Sequence, residues 1–181
     1  MITTVDVETS WQKTENGGYD PSPFHPDNIL VSVGINDEYY FTNHSEKIDE
    51  GCYHKIQKIL DKTTLLVGHN IKFDLMWLLE SGFKYSGRVY DTMLGEYILN
   101  RGIRKSLTLE MCCRRRKIGS KDSAIKEWMD RGVSFENIPA DVVEEYGKID
   151  VLITRKLFNS QMDDLKMAKN KGLLMTIKMM N

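Results

Sequence analysis

The feature that most constrains the fold is an alternation of short apolar runs and helical patterns in the first half of the chain. TLLVGHN, residues 64–70, is typical of a short buried strand, and it leads into the helical pattern KFDLMWLLESG, which ends at Gly82. GRVYD, residues 87–91, predicts another strand, and TMLGEYILN after it predicts another helix. Because such alternation requires parallel crossovers, this stretch predicts parallel strands with helices packed on the sheet.

The first forty residues predict antiparallel strands instead. ITTVDVETS alternates like a strand, residues 29–35 predict a largely buried strand, and residues 38–41 predict its partner, with Asn36 and Asp37 as the hairpin turn. The polar segment QKTENGGYDPSPFHPDN between the first two strands predicts a long edge loop. The complete pattern predicts an α/β fold, in which a mixed sheet of an antiparallel meander and parallel strands is flanked by helices.

Further helical patterns follow these strands. A helix is predicted from Ser45, its N-cap, with an apolar face of Ile48, Cys52, Ile56, Ile59 and Leu60. Residues 102–137 carry more charge and predict short helices that start near Ser106 and Asp122. Pro139 takes the first position of a long amphipathic helix, whose stripe is Val142, Tyr146, Ile149, Ile153 and Leu157.

Composition limits the classes of protein to which the chain can belong. Its 181 residues suffice to bury the core of one ordinary domain, and we expect a single domain over residues 1–181. A formal net charge of −1 gives no general attraction to nucleic acid or acidic membranes, so any polyanion must bind locally. The sequence shows no signal-peptide or membrane-span pattern, and its three cysteines match no disulfide or zinc spacing. These features predict a cytoplasmic protein, of the host cytoplasm if the source is viral.

Two acids interrupt the apolar pattern of the first strand. Asp6 and Glu8 alternate with Val5 and Val7, so both acids lie on one face, about 6.5 Å apart along the strand. An isolated pair of this kind also suits a solvated edge strand. The motif alone therefore leaves both interpretations open.

Two more acids stand where the local pattern predicts apolar side chains. Asp74 is the only charged residue between Phe73 and Leu79, and an unpaired buried carboxylate costs several kcal/mol or becomes protonated. Asp150 lies one helical turn after Tyr146, on the stripe of core residues. The alternatives are that Asp74 caps a neighbouring loop and that the Tyr146 and Asp150 pair lies at the rim of the stripe.

The four acids, if they converge, require a countercharge. Two like charges about 4 Å apart repel by roughly 4 kcal/mol at an effective dielectric constant near 20. Lys72 and Lys148, the cations within these motifs, point elsewhere by helical geometry. Oxygen ligands without His or Cys favour Mg²⁺ or Mn²⁺ over Zn²⁺. The sequence therefore predicts a site for a hard divalent cation.

The same three motifs resemble a known enzyme family. VDVETS, GHNIKFDL and YGKIDVLI are similar, in order and spacing, to the motifs of the DEDD (DnaQ-like) 3′ to 5′ exonucleases, which have a ribonuclease H-like fold. Tyr146 stands four residues before the last acid, as in the DEDDy subgroup, and Glu145 occupies the position of the DEDDh histidine. The stretches VYDTMLGEYILN and SLTLEMCCRRR resemble the proofreading domain of family A DNA polymerases. The positions that match the four acids are Asp6, Glu8, Asp74 and Asp150.

The resemblance, which covers residues 2 to about 160, implies two-metal phosphodiester hydrolysis. In this scheme Asp6 bridges two Mg²⁺ or Mn²⁺ ions, Glu8 and Asp150 complete the first site, and Asp74 holds the second ion mainly through water. Tyr146 orients the attacking water, because a phenol that titrates near 10 is a poor base. The resemblance also implies contacts to the terminal nucleotides from Thr9, Asn70 and Phe73. Trp11 either stacks on a base or packs within the loop.

Other polar features have simpler interpretations. The basic run Arg114 to Lys117, near Arg101, Arg104 and Lys105, either guides a phosphate backbone or is a solvated helix end. Cys112 and Cys113 are expected to pack in the interior. His69 is expected to fill the end of a strand rather than to bind metal.

The expected function is metal-dependent hydrolysis of single-stranded DNA from the 3′ end, with release of nucleoside monophosphates, in proofreading for a family A DNA polymerase. The alternatives are a DEDDy exoribonuclease, since no residue visibly reads a 2′-hydroxyl, and a non-catalytic nucleic-acid-binding scaffold. The Met-rich end GLLMTIKMMN favours association, and the resemblance implies that residues 165–181 form a junction with a polymerase domain or dock on a polymerase subunit.

Overall fold

The computed structural model describes residues 1–119, residues 124–167 and Gly172. Seven strands lie in two sheets, of five and two strands. In chain order they are β1 (Ile2–Thr9), β2 (Gln12–Lys13), β3 (Tyr19–Asp20), β4 (Leu30–Ile35), β5 (Glu38–Phe41), β6 (Leu65–Gly68) and β7 (Arg88–Asp91).

The main sheet has the strand order β5-β4-β1-β6-β7 and is mixed, as predicted. Strand β1 pairs antiparallel with β4, and β4 pairs antiparallel with β5, which forms the predicted meander. On its other side β1 pairs parallel with β6, and β6 pairs parallel with β7. The strand that carries the first two acids is therefore the central strand of the sheet, not an edge strand.

Within the described ranges, six helices and one 3₁₀ turn, Phe135–Asn137, surround the sheet. The helices are α1 (Cys52–Leu60), α2 (Ile71–Glu80), α3 (Thr92–Leu99), α4 (Leu109–Arg116), α5 (Ala124–Asp130) and α6 (Ala140–Lys166). The predicted C-terminal junction lies outside the described residues from residue 168 onward, except for Gly172. Among the residues that the structure describes, no helix is long and apolar enough to cross a membrane.

The alternation in β1 separates core side chains from acids. Val5 and Val7 point into an apolar cluster that includes Ile56 of α1 and Leu78 of α2. Asp6 and Glu8 take the alternate positions and face the side of the sheet on which α6 packs. The sheet thus directs its apolar residues to one layer of helices and its acids toward another.

Helix α6 lies very close to the sheet because glycines stand at the contact. A Cβ added to Gly34 of β4 would lie 2.7 Å from Cγ2 of Val151, and one added to Gly147 of α6 would collide with the ring of Tyr39. Real Cβ atoms do not approach other atoms so closely. These two glycines therefore set how far the helix stands from the strands.

The predicted start of the first helix is wrong. Helix α1 begins at Cys52 after Gly51, whose φ of 67° is left-handed, and Ile48 is 66% exposed. Ser45 is not a cap, since its hydroxyl donates to the carbonyl of Glu136. The Asp49 carboxylate accepts the backbone N–H of Phe41. These long-range hydrogen bonds keep the connection non-helical, and a local pattern does not reveal them.

The other element boundaries shift by a few residues or fall outside the description. Helix α4 begins at Leu109 with Thr108 as its N-cap rather than near Ser106, and Pro139 is the N-cap of α6 rather than its first residue. The helix start expected near Asp122 lies outside the described residues. The polar segment after β1 contains the hairpin β2–β3, and the carbonyl of Pro21 in this segment accepts the indole N–H of Trp77.

Candidate active site

Three of the four predicted acids converge. Asp6 and Glu8 of β1 and Asp150 of α6 each offer one carboxylate oxygen, and these three oxygens lie within 4.8 Å of one another. Glu8 and Asp150 are 7% and 3% exposed, and Asp6 is partly buried. An all-oxygen donor set of this size fits a hard divalent cation such as Mg²⁺ or Mn²⁺.

The pairing of β1 with β4 explains why the helix can reach these acids. Asp6 lies opposite Gly34 and Glu8 lies opposite Ser32, so the neighbours of both acids on β4 are small. The register then shifts between Glu8 and Thr9. Thr9 follows Glu8 directly, so the alternation of the strand already turns its side chain away from the face that carries the acids.

Asp74 of α2 contacts β1 beyond the point where the pairing of β1 with β6 ends. Strand β6 pairs with β1 only as far as Thr4, opposite Val67, so the backbone N–H of Val7 lies beyond the end of β6. The Asp74 carboxylate accepts that N–H at 3.0 Å. Burial, and next the charge of Asp6, raise the pKa of Asp74 well above its usual range, although the bond from Val7 opposes this shift.

Tyr146 lies one turn before Asp150 and is hydrogen-bonded to it. Burial raises the pKa of Tyr146 far above its ordinary value, and the nearby charges of Glu8, Asp150 and Asp6 raise it further. The phenol therefore keeps its proton at any physiological pH. It can donate a hydrogen bond, and it cannot serve as a base.

A cleft of about 270 Å³ brings the five predicted catalytic positions together. Asn70 and Phe73, which were predicted to contact substrate, line the same cleft, as do His69 and Leu109. Asn70 is exposed and has a left-handed φ of 64° at the start of α2, and its backbone N–H donates to Asp91. The lining residues of the acidic cleft are Asp6, Val7, Glu8, His69, Asn70, Phe73, Asp74, Leu109, Tyr146 and Asp150.

An apolar pocket of about 290 Å³ adjoins the acidic cleft. The two share Val7, Glu8 and Phe73, and the predicted contact residues Thr9 and Trp11 line the apolar pocket only. The other wall of this pocket was not predicted from the sequence, because it comes from the polar loop, α5 and the 3₁₀ turn. The residues missed are Tyr19, Pro21, Met129 and Phe135.

Aromatic side chains give this apolar pocket its shape. The rings of Trp11 and Tyr19 meet edge to face with their centroids 4.0 Å apart. Tyr19 is 51% exposed. An exposed aromatic residue within an otherwise polar loop was the available sequence signal for this wall.

His69 fills the strand end, as predicted. Its Nδ1 lies 2.9 Å from the hydroxyl of Thr92 and its Nε2 lies 2.8 Å from the carbonyl of Leu107. The ring thus joins the end of β6 to the start of α3 and to the loop before α4. Cys112 and Cys113 are fully buried, which confirms their predicted packing role.

Neither predicted role fits the centre of the basic run. Arg116 forms ion pairs of 2.8 Å with both Glu96 and Asp164, and its side chain is only 13% exposed. Arg115 donates to the carbonyl of Ser106 at 2.7 Å and lies 3.5 Å from Glu96. Both arginines therefore join α4 to neighbouring segments. The prediction missed this role because the partner acids are distant in the sequence.

Solved structures of two other proteins share this fold. A structure of NrnC from Brucella melitensis is 18% identical, has a TM-score of 0.67, and aligns with 98% of this chain and 80% of its own. NrnC was also solved bound to pGG and with bound Mg²⁺. The catalytic core of RRP6 from Trypanosoma brucei is 14% identical, has a TM-score of 0.58, and aligns with 97% of this chain and 44% of its own. The predicted ribonuclease H-like fold is confirmed.

Sequence relatives are much longer than this chain. DNA polymerase I from Borreliella burgdorferi is 26% identical over 125 residues, which are 69% of this chain and 13% of the polymerase. DNA polymerase I from Chloroflexus aurantiacus is 32% identical over 94 residues, which are 49% of this chain and 9% of the polymerase. The aligned stretches thus span about a tenth of the length of these relatives.

The sequence profile of the 3′–5′ exonuclease family matches residues 13–166. This range includes the motifs around Asp74 and Asp150, whereas Asp6 and Glu8 precede it, and their place in the cleft comes from the geometry of β1. The predicted resemblance to the DEDD-type exonucleases is confirmed. The match extends over most of the chain, which therefore belongs to the 3′–5′ exonuclease family.

Proposed function

We propose that the protein is a metal-dependent exodeoxyribonuclease that hydrolyses single-stranded DNA from its 3′ end and releases nucleoside monophosphates. The observation that carries this proposal is the convergence of Asp6, Glu8 and Asp150 within 4.8 Å, beside Asp74 and Tyr146 in one cleft. Repelling acids on a central strand and two helices need cations to hold them together. This arrangement suits phosphodiester hydrolysis, in which charge develops at the phosphate.

The carboxylates supply the ligands for two divalent cations, Mg²⁺ or Mn²⁺. Asp6, Glu8 and Asp150 would hold the first, and Asp74 would help to hold the second. When bound, such ions acidify the attacking water and neutralise charge on the phosphate and on the leaving oxygen. Without metal, the raised pKa of Asp74 favours the protonated carboxyl group. A nearby cation would favour the ionised form, which is the form that binds metal.

The other residues of the cleft position the reactants. Tyr146 keeps its proton and orients the attacking water through its hydroxyl. Asn70, exposed at the start of α2, donates to sugar or phosphate oxygens of the terminal nucleotides. Phe73 stands between the two pockets, where its ring contacts the terminal base.

The apolar pocket receives that base. Thr9 and Trp11 line it beside Phe73, and Trp11 presents a ring on which a base can stack. Stacking contributes about 1–3 kcal/mol per base and tolerates any sequence. A site of this kind suits an enzyme that removes arbitrary terminal nucleotides.

We further propose that the activity proofreads for a family A DNA polymerase. The DNA polymerase I relatives support this proposal, since the chain aligns with a small part of each. Residues 1–181 would then form one exonuclease domain, and the protein would be cytoplasmic. Residues 165–181 would form the junction to a polymerase domain or the segment that docks on a polymerase subunit.

The test is digestion of a 3′-labelled single-stranded DNA and of the matching RNA, with Mg²⁺ or with EDTA. We expect labelled mononucleotide from DNA in Mg²⁺ and none in EDTA. The Asp6→Asn protein is the matched control, since it keeps the shape of the side chain and removes its charge. Equal product in EDTA, or from Asp6→Asn, would exclude the proposed mechanism.

The same experiment decides between DNA and RNA. This chain shares the fold of NrnC, which was solved bound to pGG. That structure favours a second candidate function, a DEDDy exoribonuclease that acts on RNA 3′ ends or very short oligonucleotides. Faster release from RNA than from DNA would replace the first proposal with this one. Substrate binding without any product would favour a non-catalytic scaffold.

A further inference from the structure

A chain of hydroxyl groups connects the sheet to the helix that carries Asp150. The Tyr39 hydroxyl of β5 lies 2.7 Å from the Ser32 hydroxyl of β4 and donates to the carbonyl of Val143 of α6 at 3.3 Å. Because Tyr39 has one hydroxyl hydrogen, which goes to Val143, the Ser32 hydroxyl must be the donor in the shorter bond. The direction is therefore from Ser32 through Tyr39 to Val143.

The ring of Tyr39 also fills the space between strand and helix. A Cβ added to Gly147 would lie 2.6 Å from the Tyr39 hydroxyl oxygen, and one added to Gly34 would lie 3.3 Å from the Tyr39 ring. The ring thus contacts both glycines at which the helix approaches the sheet. The ring and its hydroxyl thus contribute to the distance between the two layers.

The two layers that Tyr39 separates are the ones that carry the acids. On the sheet side, Ser32 and Gly34 lie opposite Glu8 and Asp6 in the register of β1 with β4. On the helix side, Gly147 is adjacent to Tyr146 and lies three residues before Asp150. Tyr39 therefore packs between α6, which carries Asp150, and β4, which pairs with the strand of Asp6 and Glu8, and it is not itself one of the clustered acids.

We infer that Tyr39 is a positioning residue, which sets the separation of Asp150 and Tyr146 on α6 from Asp6 and Glu8 on β1. By this means Tyr39 determines how tightly the cluster binds divalent cations. The inference rests on the proposed function, because it assumes that these acids hold metal. Groups that orient metal ligands commonly change metal affinity or activity by about 10-fold to 100-fold when they are removed.

A purely structural role for Tyr39 makes a different prediction. The ring centroids of Tyr39 and Phe41 lie 5.4 Å apart, within an apolar cluster. If packing were its only role, substitution would lower stability and leave metal binding unchanged. Metal affinity, measured apart from hydrolysis, separates the two roles.

The first experiment compares Tyr39→Phe with Tyr40→Phe. Tyr40 is the next residue of β5 and packs in the other cluster, and its hydroxyl bonds to Glu38, so it is a matched control. Binding of Mn²⁺ is measured from the electron paramagnetic resonance signal of the unbound ion. We expect Tyr39→Phe to bind Mn²⁺ about 10-fold more weakly and Tyr40→Phe to match the wild type.

Kinetics and a second variant extend this comparison. We expect Tyr39→Phe to lower kcat at a fixed Mg²⁺ concentration and to leave the KM for an oligonucleotide nearly unchanged, since no predicted substrate contact is removed. Ser32→Ala removes the donor at the other end of the hydroxyl chain and should weaken Mn²⁺ binding in the same direction. Mn²⁺ affinity within about twofold of wild type in both variants would overturn the inference.

The second experiment tests the contact with Gly147. In Gly147→Ala the added methyl group meets Tyr39, and in the control Gly95→Ala it meets Tyr90 and lies 2.8 Å from Oε1 of Gln161, in another part of the fold. We expect both variants to lose stability, and only Gly147→Ala to lose Mn²⁺ affinity. The losses of Tyr39→Phe and Gly147→Ala should be less than additive when combined, because both act at one contact. Equal effects of the two glycine substitutions on Mn²⁺ binding would contradict the inference.

The outcomes distinguish this inference from the proposed function. If the wild-type protein binds no Mn²⁺, the proposed function fails and the inference fails with it. If the wild type binds Mn²⁺ and Tyr39→Phe binds it equally well, only the role of Tyr39 is excluded.

Discussion

Helix α6 has carboxylates in both of its halves, and the charges that surround them differ in sign. Toward the C-terminus, Asp164 and the buried Glu96 of α3 are both paired with Arg116 at 2.8 Å. Toward the N-terminus, Asp150 faces Asp6 and Glu8, with their oxygens within 4.8 Å. The first arrangement neutralises its charge within the protein. The second concentrates charge of one sign, as a cation-binding site requires.

The difference shows that acids along one helix have two distinct physical roles. The pairing around Arg116 joins α3, α4 and α6, and Gln161 adds a hydrogen bond of 3.1 Å to Glu96. Substitutions there should affect stability. Substitutions among the clustered acids should affect activity and leave the metal-free fold intact, because they remove repulsion.

The largest effect is expected for Asp6→Ala. It should lower the rate of nucleotide release by about 1000-fold, since loss of a metal ligand removes several kcal/mol of transition-state stabilisation. In EDTA its melting temperature should equal or exceed that of the wild type. The checks are single-turnover kinetics and thermal melts. A large fall in melting temperature would indicate that Asp6 has a structural role like that of Glu96.

Arg116→Met should give the next largest effect, on stability. Removing Arg116 leaves Glu96 with Arg115, at 3.5 Å, as its nearby countercharge, so the free energy of unfolding should fall by about 3 kcal/mol, the lower end of the range for a broken buried pair. The matched control is Arg114→Met, an exposed arginine of the same helix, with an expected change within about 0.5 kcal/mol. Urea denaturation measures both. Adding Glu96→Gln to Arg116→Met should restore part of the loss, and no recovery would contradict the pairing argument.

A smaller effect, in pH dependence, is expected for Asp74→Asn. Because the folded-state pKa of Asp74 is raised, the folded protein holds the proton more tightly than the unfolded chain. The unfolding free energy therefore falls as pH rises above about 3.9, the unfolded value, toward the folded-state pKa. In EDTA, Asp74→Asn should match the wild type near pH 4 and melt about 3 °C or more above it at pH 8. A gap that is constant with pH would exclude this account.

The smallest effect is expected at the surface of α6. Lys148 and Glu144 form an exposed ion pair of 2.6 Å with i,i+4 spacing. Lys148→Ala should lower the free energy of unfolding by about 0.3–0.5 kcal/mol at low salt and by less at high salt. Chemical denaturation at two salt concentrations measures this change. A change in nucleotide release would show that Lys148 belongs with the clustered acids after all.

The parts of the site that were predictable from the sequence are those set by local periodicity. The alternation of β1 places Asp6 and Glu8 on one face, and the helical spacing of Tyr146 and Asp150 places them one turn apart. Asp74 was conspicuous as a charge within an apolar helix. In each case the pattern within one element was enough to identify a side chain directed inward.

The missed features depend on contacts between distant segments. The start of α1 is displaced from Ser45 because the backbone before it bonds to residues such as Glu136. The pairing of Arg116 with Glu96 and Asp164 joins three helices, and the apolar pocket combines Tyr19 with Met129. Periodicity carries no information about such partners. The mixed sheet was predictable because crossover rules restrict how its elements connect, whereas pairing between loops follows no comparable rule.

The early end of β6 also leaves the space that the cleft occupies. Two more residues of parallel strand after Gly68 would carry the pairing with β1 on toward Val7, whose N–H the Asp74 carboxylate accepts instead. A backbone N–H within a sheet is normally paired with the carbonyl of a neighbouring strand. Here the Asp74 carboxylate accepts the N–H that a longer β6 would have paired, so the acidic cleft lies where the backbone pairing between β6 and β1 ends.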